Sequence, residues 1–556
     1  MSTEHKEEGA SRLEDRARRL SELPERLMAA GGLVEGAAAV AAKAIDGSEA
    51  HAFGVASFFS LLARPEKKLR VCTGLTCRLA GADEVLSTAL AAGLEAEGCS
   101  CLAGCDVAPA VLKDRDVLPS VTPGEVEAAK DDWRALRPGS EPWYGPIGPA
   151  DLGDEAVIGL HRDEADPTAA FARAAELGPE GIFAALETSE LQGRGGACFP
   201  AHIKWRAVAR QEETRRYVVL NADEGEPGTF KDREVMMRRP DLVVAGLAIA
   251  ARAVGAKVIY LYLRGEFSFP WRRLEATIAA FRAAGHLEGL ELRLHAGQGA
   301  YICGEETALL GALEGKRGMP RLKPPFPVEK GLWQKPTLIH NVETIACVPD
   351  ILLRGGQRFR ELGRGEAGTK LYCVSGHVVR PGTYELPLGV TLDELVEAAG
   401  GYVGTLKAFS PGGASSGFLP AAERERPLDA KHLSEIGSML GSAGVVVLND
   451  TVDMRWATLE QLRFFEAESC GQCAPCRIGT RYLREAVDRD IAGTKLTSGE
   501  APLTHVDDVA WQMGEGSICG LGQIAALPLT SARAFFPADF PTSPSNGTVA
   551  SKKENA

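Results

Sequence analysis

Three cysteines three residues apart, Cys470, Cys473 and Cys476, are the sharpest chemical signal in the sequence. Thiolates at that spacing can converge on one face of an iron–sulfur cubane, with a fourth ligand arriving from elsewhere. Cys519, in SICGLGQ, is the candidate fourth ligand. Zinc is the competing guest, although zinc sites usually present their ligands as two separated pairs. A second group lies near the start of the chain, where Cys72-x4-Cys77 and Cys101-x3-Cys105 supply four thiolates, enough for a two-iron cluster or a zinc ion. Cys99 is a spare there, and Cys198, Cys303, Cys347 and Cys373 are scattered as small core residues commonly are.

Between the cysteine groups lie four polar, glycine-containing loops. GRGGACFPAHIKW, from Gly193, runs into a helical pattern. Its glycines permit close backbone approach to a phosphate, and a helix N-terminus adds a favourable field. It is not a Rossmann fingerprint, because no apolar strand precedes it and Cys198 replaces a third glycine. NADEGEPGTF from Asn221, GQGAYICGEETALL from Gly297 and GKRGMPRLKPPFP from Gly315 follow, the last supplying cations and an aromatic ring. Each loop alone reads as turn material; their repetition points to a bound cofactor. Two readings stay open for Cys198: a small residue filling a tight loop, or a reactive thiol beside the site.

These loops must be positioned by a larger scaffold. The 556 residues exceed one core and imply several domains. Residues 1–64 read as a helical lead, including HAFGVASFFSLL as a buried helix. Residues 65–136 read as a small α/β unit with a helix through LSTALAAGLEAEG, and the Pro/Gly-rich residues 137–150 as a linker. From 151 to 345 helices alternate with strands, the signature of a mainly parallel sheet covered by helices. Residues 346–445 read as a small β domain, 446–535 as a helical bundle, and 536–556 as a disordered tail. The fold class expected is therefore multidomain, mixing α/β and α+β. A net charge of −13 argues against non-specific nucleic-acid binding. No apolar run approaches the ~18 residues of a membrane span. The charged amino terminus lacks a signal-peptide stretch, which makes the cytoplasm the expected address.

Residues 193–205, 221–233, 299–309, 321–327 and 341–344 resemble the flavin-bearing, NADH-oxidising subunit family of respiratory complex I, and ESCGQCAPCRIGT at 468–480 resembles its four-iron motif. Residues 15–135 resemble the thioredoxin-like two-iron subunit of the same complex, through HAFGVASFFS, VCTGLTC and CLAGC. The resemblance implies FMN, NAD(H), one [4Fe-4S] cluster on Cys470, Cys473, Cys476 and Cys519, and one [2Fe-2S] cluster on Cys72, Cys77, Cys101 and Cys105. It implies a β-grasp-like domain at 346–445. It places Gly193, Arg194, Gly195, Lys204, Asn221, Asp223, Glu224, Tyr301, Gly304, Glu305 and Asn341 around FMN. On the nucleotide side it places Phe199, Glu226, Glu306, Lys323 and Phe326, with rings flanking adenine and carboxylates reaching ribose. No residue is assigned proton transfer, because the chemistry belongs to the flavin.

Three departures bear on the nucleotide: FPAH replaces the family's FPTG, His340 replaces an Asn, and an aromatic expected near Ala207 is missing. The fused layout resembles the diaphorase (beta) subunit of soluble NAD-dependent formate dehydrogenases. That implies a molybdenum- or tungsten-dependent catalytic alpha subunit as partner. The alternatives are the diaphorase of an NAD-reducing hydrogenase or a complex I-like NADH dehydrogenase. A non-catalytic relay or assembly subunit is the reading from another class, against which intact Gly195, Glu224 and Glu305 speak.

Overall fold

The computed structural model describes residues 19–139, 141–148 and 153–540. Its central body is a four-stranded, wholly parallel sheet of β5 (Tyr217–Ala222), β6 (Val258–Leu263), β7 (Glu291–Ala296) and β8 (Thr337–Asn341), in the order β7-β6-β5-β8. Strand β5 alternates its side chains between two cores: Val218 and Leu220 join one, Tyr217 and Val219 the other. The helix Pro240–Val254 opens with Pro at its first turn and ends at Gly255, whose left-handed φ of 73° satisfies the C-terminal cap. It is buried along nearly its whole length against the first core.

The chain reverses direction in this sheet at β5. From there β6 and β7 extend one way, while β8 returns on the other side, pairing Asn221 with Asn341 at the carboxyl ends. Open parallel sheets bind ligands in the crevice at such a switch point.

Ahead of this body, β1 (Leu69–Cys72), β2 (Ala96–Cys99), β3 (Val111–Lys113) and β4 (Asp116–Leu118) form a sheet in the order β2-β1-β3-β4. After it, β9 (Thr369–Gly376), β10 (Gly382–Pro387), β11 (Leu406–Ser410), β12 (Leu419–Pro420) and β13 (Gly444–Asn449) form a mixed sheet in the order β10-β9-β13-β11-β12. Helices Met454–Glu468, Ala474–Ile491, Val506–Gly516 and Leu527–Phe535 complete the carboxyl-terminal bundle. The multidomain α/β and α+β class is therefore the one observed. No helix among the described residues is long and apolar enough to cross a membrane.

Several sequence boundaries shift. The helix expected through residues 86–98 ends at Ala91, and Gly93 at φ 73° turns the chain into strand β2. HAFGVASFFSLL is two helices, Glu49–Ala56 and Ser60–Ala63, separated by extended Phe59. The stretch 137–150 is no free linker. Trp143 Nε1 donates to Val117 O at 2.7 Å, Gly145 N to Glu234 Oε1 at 2.9 Å, and Ile147 bridges Thr383. Residues 348–359, expected in the β domain, pack into the core of the central body through Val348, Ile351 and Phe359. The first residues of the expected disordered tail are packed: Asp539 pairs with Lys407 at 2.7 Å, and Phe540 is buried. Residues 541–556 of that tail and 1–18 of the lead lie outside the described residues.

Candidate functional site

At the switch point the carboxyl ends of β5 and β8 open into a cavity of about 380 Å³. Its walls combine parts of the chain that are far apart in sequence: the loops at 195–197 and 221–232, the turn at Tyr301–Glu305, the segments Gly412–Ser415 and Met439–Ser442, and Gly520–Ile524. Gly195, Asn221, Asp223, Glu224, Tyr301, Gly304, Glu305 and Asn341 all line it, as the flavin assignment requires. Glu226 lines it too, rather than standing with the other nucleotide-side residues.

Backbone geometry makes the room. A Cβ on Gly195 would stand 3.0 Å from Asn341 Cβ, so a glycine there lets the first loop close on β8. That loop is held by Gly193 N donating to Phe199 O at 2.9 Å and by a bridge between Gln192 and Pro200. Asn221 Nδ2 donates to Gly304 O at 2.8 Å, joining the second loop to the third. Asn341 Nδ2 donates to Asp232 Oδ2 at 2.5 Å, and Lys231 Nζ donates to Asn341 Oδ1 at 3.2 Å. Glu226 accepts from the Tyr301 hydroxyl and from Ser415 N at 2.8 Å, tying three loops to one carboxylate. Gly413, at φ 86°, lies against it, where a Cβ would come 2.7 Å from Glu226 Cγ.

Electrostatics divide these carboxylates by role. Glu224 accepts Asp232 N at 2.7 Å and Arg233 N at 3.0 Å, capping the helix Lys231–Arg238. Burial, with Asp232 beside it, pushes its carboxyl up to about 7. Burial also raises Asp223 well above the carboxylate range, and its Oδ2 is buried at the cavity wall with no donor from the protein. An acceptor without a donor, a glycine-cleared floor and two orienting asparagines fit a polar, multi-ring cofactor such as FMN.

The nucleotide-side residues form a separate, more open cluster. Glu306 pairs with Lys204 at 3.3 Å and with Lys323 at 2.9 Å, and Lys323 also meets Glu305 at 2.9 Å. Phe199 and Phe326 are 45% and 49% exposed, and Lys204 Nζ sits 6.0 Å from the centre of the Phe199 ring. Exposed rings of this kind are suited to stacking on a base. His340 lies beneath this region, accepting Trp205 Nε1–H at 2.9 Å. Burial, then nearby Lys204, lowers its pKa to about 3, so it is neutral.

Three residues expected at the flavin do something else. Lys204 does not line the cavity but pairs with Glu306 in the nucleotide-side cluster. Arg194 is buried and turns away: its Nη2 donates to Ala367 O at 2.7 Å and its backbone N to Thr344 Oγ1 at 2.8 Å. Gly193 closes the loop but does not line the cavity. Cys198 adopts φ 50°, the left-handed region disfavoured for a residue with a Cβ, and its thiol points to Gly196 O at 3.8 Å. Burial raises its pKa, and it does not line the cavity, which favours the space-filling reading over the reactive thiol. The residues missed in the sequence include Thr229, Asp232, Gly412, Ser415, Met439, Gly441 and Ser442, with Gly520, Leu521 and Ile524. The Gly/Ser-rich run PGGASSG at 411–417 was the available signal.

Thiol groups stand on both sides of this cavity. At the carboxyl-terminal side, Cys473 caps the helix Ala474–Ile491 and Cys476 lies in its first turn. Cys519 caps the short helix Gly520–Ile524, whose first two residues line the cavity. Gly522 allows these segments to meet, since its Cβ would be 2.9 Å from Cys476 Cβ. Cys470, Cys473, Cys476 and Cys519 interact electrostatically as one group. At the front, Cys101 Sγ and Cys105 Sγ are 3.7 Å apart, and Cys72 bridges Cys101 to Cys77 through thiol contacts. Cys99 pairs with Cys72 in the sheet register, but its thiol is outside this chain of contacts. Among the described residues no three Cys, His, Asp or Glu side chains are gathered as for a single metal ion. Two all-thiolate sets of four suit the donor preference of iron–sulfur clusters.

Comparison with known proteins agrees with this geometry. Residues 186–350 match the Nuo51 FMN-binding domain, 456–543 the NADH-ubiquinone oxidoreductase-F iron-sulfur binding region, 371–419 the SLBB domain, and 10–134 the thioredoxin-like [2Fe-2S] ferredoxin. Over 377 residues the chain is 45% identical to the F 2 subunit of the NADH-quinone oxidoreductase of Rhizobium meliloti (strain 1021), covering 66% of this chain and 89% of that one. The corresponding F subunit from Streptomyces coelicolor is 41% identical over 375 residues, covering 66% and 83%. Among solved structures, a chain of an NAD+-reducing [NiFe]-hydrogenase in the air-oxidized state superposes with a TM-score of 0.84 at 32% identity, covering 93% of both chains.

Proposed function

The chain belongs to the family of NADH-quinone oxidoreductase F subunits, and from that membership and the site geometry we propose that it is the diaphorase subunit of a multi-subunit, NAD-linked oxidoreductase. It is an NAD-linked electron-transfer subunit with FMN, a [4Fe-4S] cluster and a [2Fe-2S] cluster as its cofactors. Bound FMN supplies the conversion between a hydride-borne electron pair and the single electrons that iron–sulfur clusters accept. The observation that carries the reading is the placement of one cavity between two thiol groups. Gly520 and Leu521, which follow Cys519, line it on one side, and Glu224 lines it on the other, bridged by Arg264 to Cys101.

In this reading the protein's residues bind and orient. Gly195 and Gly304 let backbone approach the flavin, Asn221 and Asn341 fix the loops that grip it, and Asp223 offers an acceptor to a flavin or ribityl donor. Glu226 sets the position of Tyr301 over the cavity. Phe199 and Phe326 take the adenine, while Glu306, held ionised against its burial by Lys204 and Lys323, reaches ribose. A loop set of this kind serves by positioning, so no side chain here needs to exchange a proton.

The substrate chemistry belongs to a catalytic partner subunit. By its resemblance in layout we propose a formate dehydrogenase, with a molybdenum- or tungsten-dependent alpha subunit, although the two-iron fusion itself is shared with the hydrogenase chain and does not separate the two readings. The likeness to the hydrogenase chain over 93% of both lengths favours a hydrogenase as the second reading. Purifying the native complex decides between them. Molybdenum or tungsten with formate-dependent NAD+ reduction supports the first, nickel with hydrogen-dependent reduction supports the second, and neither metal refutes both.

A further inference from the structure

The seam between the front thiol group and the central body contains two buried guanidinium groups, both supplied by the central body. Arg233, on the helix capped by Glu224, donates to Ala103 O and to Asp106 at 2.6 and 3.1 Å. It also meets Glu234 at 2.8 Å, so two carboxylates surround its charge. Arg264 follows β6 and is 7% exposed. Its Nη2 donates to Cys101 O at 2.6 Å, its Nη1 to Glu224 O at 2.5 Å, and it pairs with Glu266 at 3.2 Å. Its charge is compensated by one hydrogen-bonded carboxylate, with Asp223 acting on it only through space.

We propose that Arg264 is a positioning residue that sets the reduction potential of the front two-iron cluster from within the flavin-type body. Reducing a cluster adds an electron and therefore negative charge to its sulfur ligands. A fixed cation nearby favours that state, and in a buried seam it is screened less than at the surface. Arginine keeps its charge at every accessible pH, and its planar fork can hold the Cys101 and Glu224 carbonyls together. Glu266 opposes it: the carboxylate is 8% exposed, is held ionised against that burial by Arg264, and faces the same seam near Cys99. The pair thus acts with opposite signs on one cluster. The inference rests on the assignment of Cys72, Cys77, Cys101 and Cys105 as ligands.

The test is a redox titration of the purified full-length chain, followed by electron paramagnetic resonance of the two-iron signal, with the four-iron signal as internal reference. Arg264→Gln should lower the two-iron midpoint, Arg264→Lys should keep it near the parent value, and Glu266→Gln should raise it. The four-iron midpoint should stay unchanged in all three variants. If Arg264→Gln fails to assemble the cluster, the upward shift of Glu266→Gln still decides. Absence of a two-iron signal in the parent chain would overturn the ligand assignment. A parent signal with all variants at the same midpoint would overturn the role of Arg264 alone.

Discussion

Replacing Glu226 by alanine should destabilise the whole protein, not only its grip on a nucleotide. The carboxylate is half-buried at the cavity wall and receives two hydrogen bonds, one from the Tyr301 hydroxyl and one from Ser415 N at 2.8 Å. Removing it leaves a part-buried hydroxyl and amide without their protein acceptor. Each unsatisfied group costs roughly 1–3 kcal/mol, giving about 2–4 kcal/mol in all once partial hydration through the cavity is allowed. Glu226→Gln keeps an acceptor oxygen for Ser415 N and should lose less, about 1–2 kcal/mol. The assay is urea unfolding of both variants, read beside flavin content and NADH affinity. Glu226→Ala should lower stability and flavin retention together, because Tyr301 and the Ser415 loop form the cavity wall. A stable Glu226→Ala protein with full flavin and weakened NADH binding alone would refute this reasoning and restore a purely nucleotide-binding role.

Cys519→Ser should abolish the four-iron signal and leave the two-iron signal, whereas Cys99→Ser should leave both, as checked by paramagnetic resonance; loss of the two-iron signal in Cys99→Ser would mean that Cys99 is a ligand. Cys198→Gly should stay within about 0.5 kcal/mol of the parent, relief of the left-handed strain offsetting the added chain entropy, while Cys198→Val should lose roughly 1–2 kcal/mol in thermal unfolding. His340 and His295 are held neutral by burial, with pKa values lowered to about 3 and about 4 against 6.5 when unfolded. Their contribution is complete above the unfolded value and is lost as pH falls below it. Between about pH 6.5 and 5 each should cost about 2 kcal/mol. His340→Gln, which keeps an acceptor for Trp205, should show a flatter stability profile over that range; parallel profiles would contradict the assignment.

What the sequence made legible follows from range. The strand Tyr217–Ala222 and the cysteine spacing at 470–476 are local patterns, and both emerged where periodicity and ligand spacing placed them. The turn at Gly93 is equally local, but the alanine-rich run before it favours helix and hid strand β2. Arg194 misled for a different reason. The family resemblance places it at the flavin, yet its partner is the carbonyl of Ala367, 173 residues away. The far wall of the cavity was similarly hidden, because Ser415 meets Glu226 across 189 residues and nothing in either segment names the other. The packed end at Phe540 shows the same limit: a Pro/Ser-rich composition marked it as disordered, while Lys407, from β11, supplies the partner that orders Asp539.

The most direct test of the central claim is the cofactor content of the purified full-length chain. It should hold one FMN, released intact on acid treatment, and about six iron atoms, four from one cluster and two from the other. Reduction by NADH should bleach the flavin band and bring up a paramagnetic iron–sulfur signal in the same sample. Iron near two atoms per chain, zinc in place of iron, or a flavin that NADH does not reduce would contradict the account.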